Sequence, residues 1–253
     1  MYNFKHKNVF ITGWGSWIGK WIAHICASWD ANVLIVGLDE DKLKECVEGM
    51  KDKWEWKKAY QICDVTSNDQ IKSSIDWIVN ERWSIDYAAN NAGIPQNMQP
   101  ISENDDRDEA RKILDTNVLW VHFGMHYQLQ HMIKQWSGCI VNTCSTAAHG
   151  WLPQMAVYAS SKYAVEWLTK TAALEVADKG IRVNCVAPGP TDTSLLDKVE
   201  GMTRDQMAEQ VPMGELVRPG EAAEVVTFLF SDQSSGITGE KITVGKGYKI
   251  AWA

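Results

Sequence analysis

A tyrosine and a lysine four residues apart, Tyr158 and Lys162, have the spacing that most directly suggests chemistry. They open a run with helical periodicity, in which residues i and i+4 project from the same face. A tyrosine hydroxyl, with an ordinary pKa of about 10, is a poor base at neutral pH, and a neighbouring ammonium group lowers that pKa. The pair could therefore exchange a proton with a substrate. The same spacing is also common in inert surface pairs.

Two further features could belong to the same site. Ser145 lies thirteen residues before Tyr158, at the end of a strand-like run. Its hydroxyl could hydrogen-bond a substrate carbonyl or alkoxide, or it could stabilise a turn. The glycine-rich segment 13–19 lies between a strand-like run and a helix-like run. Such a turn can hold a pyrophosphate at the helix N-terminus, although a simple tight turn has the same pattern.

The elements that must position these residues alternate along the chain. Short β-branched runs predict strands, and longer amphipathic runs predict helices. The alternation predicts an α/β fold in which helices cover both faces of a doubly wound, mostly parallel seven-stranded sheet. We expect a single domain over residues 1–253. The predicted strands are 8–12, 32–36, 59–63, 85–90, 139–143, 181–186 and 240–244, and the predicted helices are 17–28, 40–51, 67–81, 106–135, 156–178 and 220–230.

The segment 188–215 is the least regular stretch of the chain and follows a predicted strand. Ligands of open α/β sheets bind beyond the carboxyl ends of the strands. We therefore predict that this segment is a substrate-binding loop; an ordinary surface excursion is the alternative.

Composition excludes several classes of protein. Of the 253 residues, 45% are hydrophobic, and 32 acidic residues exceed 25 basic ones. This composition excludes disorder and a small disulfide scaffold, and the acidic balance argues against a nucleic-acid partner. No apolar run approaches the roughly 20 residues that span a bilayer, so no membrane association is expected. The six cysteines form no zinc-binding pattern, and we interpret them as small core residues. The cysteine spacing therefore predicts no metal site. Because the first residues contain no apolar signal core, we expect a cytoplasmic protein.

The choice of a dinucleotide depends on the end of the second predicted strand. Asp39 lies 20 residues after Gly19, where an acidic side chain would bind the ribose hydroxyls of NAD. No lysine or arginine occupies 14–16 or 37–41. The sequence therefore weakly favours NAD over NADP. Asp39 could equally cap the helix that starts near Asp41.

These motifs resemble the short-chain dehydrogenase/reductase family, and the likeness covers nearly the whole chain. They are TGWGSWIG at 12–19, Asp64-Val65, NNAG at 90–93, Asn117 in DTNV, Ser145, YASSK at 158–162 and GIRVNCVAPGPTDT at 180–193. The resemblance implies a Rossmann fold and an NAD(P)-dependent enzyme that interconverts a secondary alcohol and a ketone. It also implies a homotetramer or homodimer that acts on a small molecule.

The resemblance also implies roles for individual residues. Tyr158 would be the acid/base, Lys162 would lower its pKa, Ser145 would position the carbonyl, and Asn117 would support a proton relay. The expected cofactor contacts are Gly13, Ser16, Trp17, Ile18, Gly19, Asp39, Asp64, Val65, Asn91, Ala92, Gly93, Tyr158, Lys162, Pro188, Gly189, Thr191 and Thr193. The expected substrate contacts are Ser145, Ala147, Trp151, Met155 and Tyr158. His149 could touch substrate or be an ordinary loop histidine.

The sequence departs from the family pattern at its tryptophans, of which there are 13. Trp17 replaces the middle glycine of the phosphate turn, and Trp120 stands where the family tends to have a small residue. The acidic residue that the family places after the second strand falls at Gly37 rather than at Asp39. An indole aimed into the cleft would weaken cofactor binding. The alternative function is therefore a non-catalytic, oligomeric scaffold or binding module whose cofactor cleft is obstructed by Trp17.

Overall fold

A parallel sheet of seven strands forms the centre of the computed structural model, which describes residues 2–13, 17–50, 58–82, 84–149, 152–194, 196 and 203–248. The strand order is β3-β2-β1-β4-β5-β6-β7, so the direction of winding reverses between β1 and β4. Ligands bind beside such a reversal. The strands are β1 (Asn8–Thr12), β2 (Asn32–Gly37), β3 (Lys58–Ile62), β4 (Tyr87–Asn90), β5 (Gly138–Thr143), β6 (Ile181–Pro188) and β7 (Lys241–Val244).

Helices cover both faces of the sheet, as the sequence predicts. They are α1 (Trp17–Ser28), α2 (Glu40–Gly49), α3 (Asn68–Arg82), α4 (Arg107–Leu114), α5 (Trp120–Gln135), α6 (Ala156–Val176), α7 (Arg204–Glu209) and α8 (Pro219–Phe230). The predicted helix 106–135 is interrupted, because a π-helical turn over Asp115–Leu119 separates α4 from α5. Helix α7 lies within the segment that the sequence left irregular. It is stabilised locally by a capping box between Thr203 and Gln206.

Two apolar layers hold the sheet between the helices. Alternate residues of β1 point to opposite faces, so Val9 and Ile11 pack on one side with α1, α2 and α8. Phe10 packs on the other side with α3, α5 and α6. Burying each such side chain contributes about 1.5–3 kcal/mol. Because both faces of the sheet are covered, the strand sequences are continuously apolar and do not alternate between apolar and polar residues.

All six cysteines are buried, which confirms that they are small core residues. Within the part of the chain that the structure describes, no group of three histidine, cysteine or acidic side chains could hold a metal ion. None of the helices in that part is both long enough and apolar enough to cross a membrane.

Trp120 is accommodated in the core by a glycine one turn further along α5. The indole is almost completely buried, and its Nε1 donates a hydrogen bond to the Ala92 carbonyl at 3.4 Å. A Cβ atom at Gly124 would lie 2.6 Å from Cζ3 of this indole, which is closer than real Cβ contacts. The space for the tryptophan is therefore provided by the missing side chain at Gly124.

Candidate active site

The candidate site lies beyond the carboxyl ends of the central strands, and Asn91 connects three of these ends. Its Nδ2 donates to the carbonyl of Gly13 at 3.0 Å, and its backbone N–H donates to Thr12 Oγ1 at 3.1 Å. Thr143 Oγ1, at the end of β5, donates to Asn91 Oδ1 at 3.3 Å. The family resemblance implied that Asn91 contacts the cofactor. In the structure its amide supports the turn that follows β1.

Gly13 can only be a glycine in this turn. Its φ of +73° lies in the left-handed region, and an added Cβ would lie 2.4 Å from the backbone nitrogen of Ala92. Gly19 packs in a similar way, because its Cβ would lie 2.9 Å from the Gly13 carbonyl oxygen. Helix α1 has no acidic side chain in its first turn, which leaves its positive dipole end available to an anion. Ile18 is buried in the core, and Ser16 lies outside the described residues.

Trp17 forms one wall of an open cavity beside this helix end. Its side chain is 51% exposed and faces a cavity of about 610 Å³ between α1, the N-terminus of α8 and the segment 192–194. Thr193, another predicted cofactor contact, lines the same cavity. The half-exposed indole therefore borders the space beside the helix N-terminus rather than filling the core, and the close backbone approach at Gly13 and Gly19 that would cradle a dinucleotide is retained. The lining residues are Trp17, Trp21, Ile25, Asp192, Thr193, Ser194, Arg204, Arg218, Pro219, Gly220, Glu221 and Glu224.

The Ser145 hydroxyl lies close enough to Tyr158 to act on the pKa of the phenol as a hydrogen-bond partner. The Ser145 hydroxyl also accepts from the backbone N–H of Ala147 at 3.1 Å and so caps a short 3-10 turn. Burial raises the pKa of Tyr158 above its ordinary value, and the hydrogen bond from Ser145 only partly opposes this effect. The backbone N–H of Tyr158 donates to Oε1 of the buried Gln96 at 2.9 Å. No sequence signal identified Gln96, because its partner is 62 residues away.

Lys162 is buried beside this tyrosine. Its Nζ donates to the Thr143 carbonyl at 3.1 Å and lies 5.9 Å from the centre of the Tyr158 ring. Burial lowers the pKa of Lys162 to about 8. The sequence predicted that Lys162 would depress the pKa of Tyr158. The structure differs, because burial is the largest influence on the Tyr158 pKa and raises it, and Lys162 is not among the groups that lower it.

Asn117 lies in the π-helical turn and joins the loop after β4 to α6. Its Oδ1 accepts from the backbone N–H of Ile94 at 2.8 Å, and its Nδ2 donates to Ser161 Oγ at 3.1 Å. An added Cβ at Gly93 would lie 3.0 Å from Lys162 Nζ and 3.2 Å from Asn117 Oδ1. A glycine at 93 therefore lets the lysine and the asparagine come together. Single π-helical turns of this kind occur frequently at functional sites.

The residues at the end of β6 form the opposite side of the site. Gly189 packs against Gly245, since its Cβ would lie 2.9 Å from Gly245 Cα. Thr191 and Thr193 are both buried, and the Thr193 carbonyl accepts from Arg204 Nη2 at 3.2 Å. Arg204 was not identified from the sequence. Of the predicted substrate contacts, Ala147 and Met155 are buried, and Trp151 lies outside the described residues.

Two of the expected cofactor contacts, Asp39 and Asp64, already have hydrogen-bond partners within the protein. Asp39 caps α2, because its Oδ1 accepts from the backbone N–H of Lys42 at 3.1 Å. That hydrogen bond is the main cause of the lowered pKa of Asp39. Asp64 Oδ1 accepts from the backbone N–H of Thr66 at 2.9 Å. The structure thus shows the capping alternative for Asp39, and ribose binding by this carboxylate stays a prediction. Val65 is half-buried next to Asp64.

The chain matches a known protein family over nearly its whole length. A family model described as enoyl-(acyl carrier protein) reductase matches residues 14–249. The chain belongs to the short-chain dehydrogenase/reductase family. The resemblance that the sequence motifs suggested is therefore confirmed, together with the single doubly wound α/β domain.

The similarity of this family member to individual proteins covers nearly the full length of both chains. It is 33% identical over 244 residues to a 3-oxoacyl-(acyl-carrier-protein) reductase from Chlamydia muridarum, covering 96% of this chain and 97% of that protein. It is 33% identical over 245 residues to a cyclohexanol dehydrogenase from Acinetobacter sp. strain SE19, covering 97% and 96%. The solved 3-ketoacyl-(acyl-carrier-protein) reductase from Brucella melitensis, complexed with NADH, superposes with a TM-score of 0.91 at 28% identity, covering 98% and 100%.

Proposed function

We propose that this chain is an NAD(P)-dependent oxidoreductase that interconverts a secondary alcohol and a ketone, with Tyr158 as the acid/base. The observation that carries the proposal is the meeting of Ser145, Tyr158 and Lys162 beyond the carboxyl end of β5. Two separate elements, the turn after β5 and helix α6, supply these side chains. Family relatives that act on both ketones and alcohols, by their names, support the same reaction class.

Tyr158 and Ser145 have different roles in the proton transfer. In the reducing direction, Tyr158 gives its proton to the oxygen of the substrate carbonyl, and Ser145 donates a hydrogen bond to the same oxygen. Burial raises the pKa of Tyr158, so this side chain is protonated at neutral pH and ready to act as an acid. In the oxidising direction Tyr158 must first lose that proton. A bound nicotinamide cofactor supplies or accepts the hydride.

The residues that would hold the cofactor lie along the same edge of the sheet. The turn at Gly13, the N-terminus of α1 and the walls at Trp17 and Thr193 would accept the pyrophosphate. NAD is weakly preferred, because Asp39 follows β2 and no lysine or arginine occupies positions 37–41. A small-molecule substrate, a cytoplasmic location and a homotetrameric or homodimeric assembly complete the proposal.

A coenzyme titration and a substrate assay test this function together. NADH and NADPH are titrated separately by nicotinamide fluorescence, and the preferred coenzyme is then assayed with ethyl acetoacetate and cyclohexanone. We expect saturable binding and turnover, and we expect Tyr158→Phe to lose roughly 10²–10⁴-fold in rate with unchanged coenzyme affinity. Tyr163→Phe, on the exposed side of the same helix, is the matched control and keeps full activity.

Two results would contradict the proposal. Turnover that survives in Tyr158→Phe would show that another group transfers the proton. Failure to bind either coenzyme at millimolar concentration would instead favour the non-catalytic alternative, in which Trp17 obstructs the cleft.

A further inference from the structure

A buried carboxylate, Glu166, lies on the same helix as the proposed acid/base and has no part in the proton transfer described above. Tyr158, Lys162 and Glu166 follow one another at intervals of four residues, so they share one face of α6. The Glu166 residue is only 4% exposed. A carboxylate this deeply buried requires charged or hydrogen-bonding partners in place of water.

Glu166 has three such partners, and they come from three different parts of the fold. Its Oε2 is 2.5 Å from His149 Nε2 and 3.1 Å from Lys241 Nζ at the start of β7. Its Oε1 is 2.6 Å from Lys170 Nζ, one turn further along α6. Among the described residues of the packed strands, the thiols of Cys144 and Cys185 also interact electrostatically with Glu166. The contact to His149 is the one that reaches the turn containing Ser145.

The segment from Ser145 to His149 is a single hydrogen-bonded unit. The backbone N–H of Ala148 donates to the Ser145 carbonyl at 3.1 Å, and that of His149 donates to the Thr146 carbonyl at 3.0 Å. The Ser145 hydroxyl is itself part of this turn, through the bond from Ala147. The position of the His149 side chain therefore constrains the position of Ser145. Because the His149 ring is directed at Glu166, this geometry does not favour a substrate contact for His149.

We propose that His149 and Glu166 are positioning residues, whose contact holds the Ser145 turn in register with Tyr158 and Lys162. The inference rests on the proposed function of those three residues. Without the contact, the turn keeps its own backbone hydrogen bonds and the approach of Ser145 to Tyr158, but it loses its link to the buried carboxylate of α6. A displacement of about 1 Å at a reacting centre can cost on the order of a hundredfold in rate.

Kinetics of three variants test the inference, with NADH and ethyl acetoacetate as the probes. His149→Ala removes the contact but leaves Glu166 paired with two lysines, so the fold is retained. We expect kcat to fall roughly ten- to a hundredfold while the Kd for NADH changes less than twofold. His149→Gln, whose amide can donate to Glu166, should recover part of the loss. Lys170→Met is the matched control, since it removes a Glu166 partner that does not reach the turn, and it should stay within twofold of wild type.

Hydrogen exchange provides a second readout that does not depend on turnover. In His149→Ala, amides of residues 144–149 should exchange at least severalfold faster, whereas those of β1 should not change. Unchanged exchange in 144–149 overturns the inference, even if wild type proves inactive and the proposed function fails. In an active wild type, an unaltered kcat in His149→Ala overturns it. Equal losses in kcat, NADH affinity and melting temperature, without rescue by glutamine, also overturn it, because they indicate general damage.

Discussion

The buried amine of Lys162 makes the stability of this protein depend on pH in a direction that can be calculated. Burial lowers the pKa of Lys162 from 10.5 to about 8 in the folded chain. A pKa shift of that size means that burying the charged amine lowers the free energy of unfolding by about 3 kcal/mol. Below pH 8 the amine is protonated in both states, and the whole cost is present.

The cost disappears as the pH rises. Between about pH 8 and 10.5 the folded state has lost the Lys162 proton but the unfolded state still holds it. The unfolded state therefore binds more protons, and the free energy of unfolding rises with pH. Relative to a variant without the amine, wild type should gain about 2 kcal/mol between pH 7 and 9.5.

Equilibrium urea unfolding of Lys162→Met and its parent, at pH 7 and 9.5, measures this gain. Both proteins should carry Cys144→Ala, because the Cys144 thiol interacts electrostatically with Lys162 and would otherwise titrate differently in the two proteins. Lys112→Met, an exposed lysine on α4, is the control and should show the same difference from wild type at both pH values. A Lys162→Met difference that stays constant to within about 0.5 kcal/mol would refute the argument that burial controls this amine.

Three further perturbations test other parts of the site. Because burial raises the pKa of Tyr158, alcohol oxidation should accelerate with pH from 7 to 10 in a kcat/KM profile, and a flat profile would contradict this assignment. Gly93→Ala places a Cβ 3.0 Å from Lys162 Nζ, so turnover should fall at least tenfold with little change in urea unfolding; Gly236→Ala, which has open space around it, should keep full activity. Trp17→Gly widens the cavity at the N-terminus of α1 and should lower the Kd for NADH in a fluorescence titration, and an unchanged Kd would show that the indole stands clear of the bound cofactor.

The regular elements could be predicted closely from local pattern. The predicted ranges agree with the observed bounds for β1 (8–12) and for α1 (17–28). In both, the apolar periodicity coincides with burial on the sheet. The predicted helix 106–135 was wrong in one respect, since a π-helical turn is set by the hydrogen bonds of Asn117 to distant segments. Helix α7 was missed because six residues are too few to establish a periodic pattern.

The candidate site was predictable in its members but not in its electrostatics. Motif spacing identified Ser145, Tyr158 and Lys162, and the topology brings them together. The direction of the Tyr158 pKa depends on burial by surrounding elements, which a helical spacing of four residues does not report. Asn91 and Gln96 act through partners 78 and 62 residues away, so their supporting roles became visible only in the folded chain.

The close fit of Trp120 against Gly124 constrains the order in which these two positions could have changed. A Cβ atom at 124 would lie 2.6 Å from the Trp120 ring, and the three atoms nearest to it all belong to that ring, so the clash depends on the tryptophan. A lineage that gained the tryptophan therefore had to acquire the glycine first or at the same step. Once both were present, losing the glycine alone would force the buried ring, and with it the Ala92 carbonyl that it binds, out of place. Of the two stepwise orders, only the one in which the glycine precedes the tryptophan avoids the clash, and the glycine can be lost only after the tryptophan.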